Sequence, residues 1–105
     1  MGEKTIQWNL GFPPDEVIAG LEKLLAGAAV VYTREERGTE VCVRVSLASG
    51  SLTLTVRPLL APFRPFNFQG GIRRTLLLMT FSEVNAQEEE AFLRRLTLAF
   101  LRVGG

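Results

Sequence analysis

A chain of 105 residues with 47% apolar side chains is long enough to bury one core without disulfides or a structural metal. Twelve basic against eleven acidic residues leave a net charge of +1, which gives no overall pull toward nucleic acid or anionic lipid. The absence of histidine beside a single cysteine removes the usual zinc, haem and copper ligand sets and the commonest general base, so neither enzyme chemistry nor a metal or cofactor is expected.

Thr5 to Phe12 alternates Ile6, Trp8, Leu10 and Phe12 with Thr5, Gln7 and Asn9, which is the period of a half-buried strand. Pro13-Pro14-Asp15-Glu16 then places proline in a first helical turn and acids at its positive end, and Val17, Ile18, Leu21, Leu24 and Leu25 recur at helical spacing. This predicts a helix from Pro14 to Ala26 with Gly27 as its stop. Ala28 to Arg34 reads as a second strand, and Glu35-Glu36-Arg37-Gly38 as a polar loop whose glycine needs a positive φ.

The clearest pattern is Val41 to Arg57. Val41, Val43, Val45 and Leu47 alternate with Cys42, Arg44 and Ser46; after Ala48-Ser49-Gly50-Ser51, Leu52, Leu54 and Val56 alternate with Thr53, Thr55 and Arg57. With Ser49-Gly50 as a two-residue turn, Val45 faces Leu54 and Val43 faces Val56, and pairing Arg34 with Thr39 brings Tyr32 opposite Val41. Every large apolar side chain then lands on one face. Pro58 to Gly71, with its prolines, Phe63, Phe66 and Phe68, reads as a long loop. Arg73 to Phe81 is apolar on both faces over its second half, as in a central strand. Asn85-Ala86-Gln87-Glu88 has the spacing of an N-cap with a back-bonding Glu, and predicts a helix on to Arg102 whose stripe is Phe92, Leu93, Leu96, Ala99, Phe100 and Val103.

The predicted order is strand, helix, three strands, long loop, strand, helix. Pairing the first strand with the last gives an α+β fold, a five-stranded antiparallel sheet of order 1-5-4-3-2 with two helices packed on one face, as a single domain over 1–105. With Phe12-Pro13-Pro14-Asp15-Glu16-Val17 leading into its first helix and a long closing helix lying across the sheet, this plan resembles helix-grip domains of the START or polyketide-cyclase-like type. That resemblance implies a cavity for an apolar ligand between helix and sheet, bounded here by Val17, Leu21, Phe92 and Phe100.

Three functions are carried forward. From Val41 to Ser82 the chain holds five arginines and no acid. With Leu54 opposite Met79, the face away from the helices carries Arg44, Arg57 and Arg74 around Leu76 and Leu78, two leucines without cover in a monomer. Apolar groups rimmed by polar ones mark an interface, and the leading expectation is a non-enzymatic assembly domain, a homodimer or the holder of a protein partner, through this face. A small apolar-ligand carrier is the alternative. The third reading is a single-strand nucleic-acid binder that stacks bases on Phe66 and Phe68 and holds phosphates with Arg64, Arg73 and Arg74. One lone thiol, no apolar run long enough to span a bilayer and no charged-then-apolar leader lead to the expectation of a cytoplasmic protein.

Overall fold

The computed structural model describes the backbone of residues 2–60 and 73–104 and the side chains of 2–59 and 74–100. The elements are β1 (Glu3–Leu10), α1 (Pro14–Ala28), β2 (Val31–Arg37), β3 (Glu40–Ser46), β4 (Ser51–Leu60), β5 (Arg73–Ser82) and α2 (Ala86–Gly104). All strand pairs are antiparallel, and the sheet order is β1-β5-β4-β3-β2, as expected.

Period two sorts the strand residues. Val41, Val43 and Val45, Leu52, Leu54 and Val56, and Leu77, Met79 and Phe81 are buried on one side of the sheet. Against them α1 sets Val17, Leu21 and Leu25, and α2 sets Phe92, Leu96 and Phe100, each trio spaced by four so that it forms one stripe. Full burial of each such side chain is worth about 1.5–3 kcal/mol, which makes this layer the source of most of the fold's stability. The helices meet where Gly20 of α1 faces the ring of Phe100, which would lie 3.2 Å from a Cβ at that position. Phe100 also packs on Phe12, with ring centroids 5.8 Å apart. Fully buried Thr75 donates its hydroxyl to the Phe12 carbonyl at 2.7 Å and so ties the β1–α1 connection to the sheet.

Several expected boundaries move. α1 continues through Gly27, and the chain leaves it at Ala29, whose φ of 57° is left-handed. The amides of Ala29 and Val30 close on Ala26 and Leu25 carbonyls, an arrangement usually finished with glycine. The β2–β3 turn is Gly38-Thr39, with Gly38 at φ 61°, so Glu35, Glu36 and Arg37 belong to the strand. Tyr32 therefore faces Val45 instead of Val41. Their polarity suggested a loop, but ion pairs of Arg37 with Glu35 and of Arg34 with Glu36 let these residues stay extended on the outermost strand.

The β2–β3 pairing thus moves by four residues, and the β3–β4 register moves by two, to Val45↔Leu52 and Val43↔Leu54, because the turn is Ala48-Ser49 and Gly50 closes it. Both shifts are even, so no side chain changes face. Gly50 is needed for space and not for a left-handed φ: a Cβ there would collide with the Ser82 carbonyl oxygen and the Glu83 backbone. β4 runs on through Pro58 to Leu60, against the expectation of a loop from Pro58. The ladder alternation explains why proline is tolerated. The Glu83 amide donates to the Gly2 carbonyl, which fixes which β5 residues bond β1, and by alternation Pro58 points toward β3, whose last residue in this direction is Glu40. No ladder bond is lost there.

Candidate functional site

The face of the sheet away from the helices is built from the residues that alternate with the core. Following the registers across β1, β5, β4, β3 and β2, one row is Thr5, Thr80, Thr53, Arg44 and Thr33; the next is Gln7, Leu78, Thr55, Cys42 and Glu35; the third is Asn9, Leu76, Arg57, Glu40 and Arg37. The β4–β5 register puts Arg57 opposite Leu76 and Thr55 opposite Leu78, as expected from sequence. Arg44, Arg57 and Arg74 are exposed and stand around the leucines.

Leu76 and Leu78 are half-buried, with Gln7 and Thr55 as the cross-strand neighbours of Leu78 and Asn9 and Arg57 as those of Leu76. Leu59, on the same face, is half-buried beside them and went unnoticed in the sequence because Pro58 suggested that the strand had ended. Small side chains fill the middle: the Thr5 and Thr80 hydroxyls lie 3.2 Å apart, and Cys42 Sγ is 3.8 Å from Thr55 Oγ1.

The charges divide into two sets. Arg57 Nε donates to Glu40 at 2.6 Å, and Arg37 pairs with Glu35, whose hydrogen bond and charge hold the guanidinium above its ordinary pKa. Arg44 and Arg74 have no acidic partner among the described residues. The centre of the face on β4 and β5, from Thr53 and Thr80 to Thr55, Leu76 and Leu78, is thus uncharged and bordered by arginine.

A second feature lies at the end of the helix layer. A cavity of about 270 Å³ is lined by Leu25, Ala28, Val30, Leu47, Ala91 and Phe92, with Glu88 and Arg95 also on its wall. Of the four residues expected to bound a cavity, Phe92 lines this one, while Val17 and Leu21 are completely buried and Phe100 is nearly so in the packed layer. Glu88 does not reach back to cap its own helix as the sequence suggested. Its carboxylate accepts from the amides of Ala48 and Ser49, both at 2.9 Å, and from the Ser49 hydroxyl. Ser49 Oγ in turn accepts from the Asn85 amide, and Asn85 Oδ1 caps the helix at the Glu88 amide. The capping box is thus closed through a serine from another hairpin. These bonds, the Ser49 hydroxyl first, hold the Glu88 carboxyl below its ordinary range.

Of the residues expected to contact nucleic acid, Arg64, Phe66 and Phe68 lie outside the described residues, as does the Arg73 side chain, and Arg74 is exposed. Among the described residues no group of three or more His, Cys, Asp or Glu is placed to hold a metal ion, and no helix is long and apolar enough to cross a membrane. The chain matches no protein-family model and no curated protein.

Proposed function

We propose that this chain is a non-enzymatic assembly domain that associates with a second copy of itself through the open face of its sheet. The observation that carries this reading is the make-up of that face: half-buried Leu59, Leu76 and Leu78 among threonines, with Arg44, Arg57 and Arg74 around them. Depletion of charge at the centre with arginine at the border is the composition of protein interfaces. A two-fold dimer is the simplest closed solution, because one patch meets its own copy. Leu76 and Leu78 already lose part of their surface to their neighbours, so covering them gains less than burying two fully exposed leucines would.

The test is the double substitution Leu76→Glu, Leu78→Glu. Both side chains point away from the core, so the variant keeps its fold and its thermal midpoint, while two glutamates facing two more across a two-fold axis abolish the association. A loss of stability in a protein of unchanged mass would assign these leucines to the chain's own packing and reject the reading.

A further inference from the structure

The two edges of the sheet differ in a way that the open face does not explain. Edge strands expose unpaired backbone donors and acceptors, and proteins that stay monomeric usually defend them with charge, bulges or cover. β2 is defended. By the ladder alternation its outward-pointing backbone groups belong to Tyr32, Arg34 and Glu36, and Arg34 is paired with both Glu36 and Glu22 of α1. Pairing β2 with its own copy about Arg34 or about Glu35 would set like charges directly opposite each other.

Among the described residues β1 has no such defence beyond the exposed charge of Glu3 at its start. The bond from the Glu83 amide to the Gly2 carbonyl marks Gly2, Lys4, Ile6, Trp8 and Leu10 as the residues whose backbone faces β5. The outward groups are therefore those of Glu3, Thr5, Gln7 and Asn9. The one cation of the strand, Lys4, is turned to the helix side and held by Glu89 at 2.8 Å. Ile6, Trp8 and Leu10 lie on the helix side as well and are only half-buried, so the apolar layer stops unfinished at this edge.

We propose that β1 pairs antiparallel with β1 of a second copy, making one continuous sheet from two chains. The strand is complementary to itself. A two-fold axis through Gln7 sets Gln7 against Gln7 and Thr5 against Asn9 on the open side, and Ile6 against Trp8 on the helix side, so polar meets polar and apolar meets apolar. Lys4 falls opposite Leu10, and no like charges oppose. In this register every hydrogen-bonded pair uses the outward residues, which adds roughly six backbone bonds, and the partner's Ile6 covers the exposed side of Trp8. The axis stands perpendicular to the sheet, so the two open faces lie side by side. This pairing is independent of the association proposed for that face.

Backbone amide exchange separates the two surfaces, because covering the face leaves the edge amides free. With β1 paired, the amides of Thr5, Gln7 and Asn9 are protected along with those of Ile6 and Trp8, at least ~tenfold slower than in an unstructured chain. Gln7→Pro removes an amide that bonds nothing within one chain, and should halve the solution mass, restore fast exchange at Thr5 and Asn9 and shift the Trp8 emission to the red. Gln7→Glu and Gln7→Lys provide a check that does not rely on proline being tolerated: each alone dissociates the pair, and mixing them restores it. Alternating protection, with Thr5, Gln7 and Asn9 exchanging at unstructured rates at the highest attainable concentration, would overturn the proposal, as would a Gln7→Pro protein of unchanged mass.

Discussion

The two faces of this sheet are written by the same strands and obey opposite rules. On the helix side Leu52, Leu54, Leu77 and Met79 are fully buried. One residue along each strand, on the open side, Thr53, Thr55, Leu76 and Leu78 are only half-buried, and arginines stand around them. On β3, β4 and β5 the covered face has no surface left over for a partner. The open face adds little to stability within one chain, yet it carries apolar groups that a purely solvated face does not need. Under the proposed association, stability and assembly fall to alternate residues of one strand pair, and substitutions should separate them.

The largest effect is expected on the covered side. Leu54→Ala opens a void in the buried layer and should cost about 3–5 kcal/mol in denaturant unfolding, while whatever protein remains folded keeps its solution mass. A change in mass at unchanged stability would break the division between the faces. Next comes Gly50→Val, at the end of the sheet where both faces close. Its side chain must displace the Ser82 and Glu83 backbone, and a loss of about 3 kcal/mol is expected. Gly38→Val, which meets no neighbouring atom but must adopt φ 61°, should cost less, about 1–2 kcal/mol. Equal costs would mean that the two turns require glycine for the same reason.

The smallest effect sharpens the comparison at the clamp between α2 and the β3–β4 turn, which belongs to neither face. Glu88→Gln weakens the hold on Ala48 and Ser49 and should cost about 1 kcal/mol at neutral pH, a charge-assisted contribution already discounted for its contact with solvent. The Glu88 carboxyl is held below its ordinary value of 4.5, so the unfolded chain takes up this proton more readily than the folded one. Its contribution is complete above that value and is lost as pH falls through the lower, folded one. Wild type and Glu88→Gln should converge in acid. A difference that stayed constant into that range would mean that the carboxylate's charge is not what holds the turn.

Much of the fold was legible because period two and period 3.6 speak directly of faces. The strands and both helices follow from these periods and the sheet order from the simplest closure of the strands, while Leu54↔Met79 is one of the even registers that alternation allows. What alternation cannot give is the exact pairing, since an even slip keeps every residue on its face; Val45 could therefore be set opposite Leu54 when it lies opposite Leu52. Turn positions depended on contacts remote in sequence: the Gly50 turn is fixed by Glu88 and by the Ser82–Glu83 backbone, some 30 to 40 residues further along. That Arg44, Arg57 and Arg74 lie exposed on the side away from the helices was legible from their spacing. Leu59 and the defence of β2 by Arg34 and Glu36 were not, because a proline and a run of charges read as loop wherever the partner strand is unknown.

Sedimentation equilibrium of the wild-type chain beside the Leu76→Glu, Leu78→Glu variant, over a wide range of concentration, tests the open face most directly. The account predicts a wild-type mass that is a multiple of one chain and a variant of half that mass with an unchanged thermal midpoint. A wild-type chain that remains a single copy at every concentration, or a variant that keeps the full assembly mass, would contradict it.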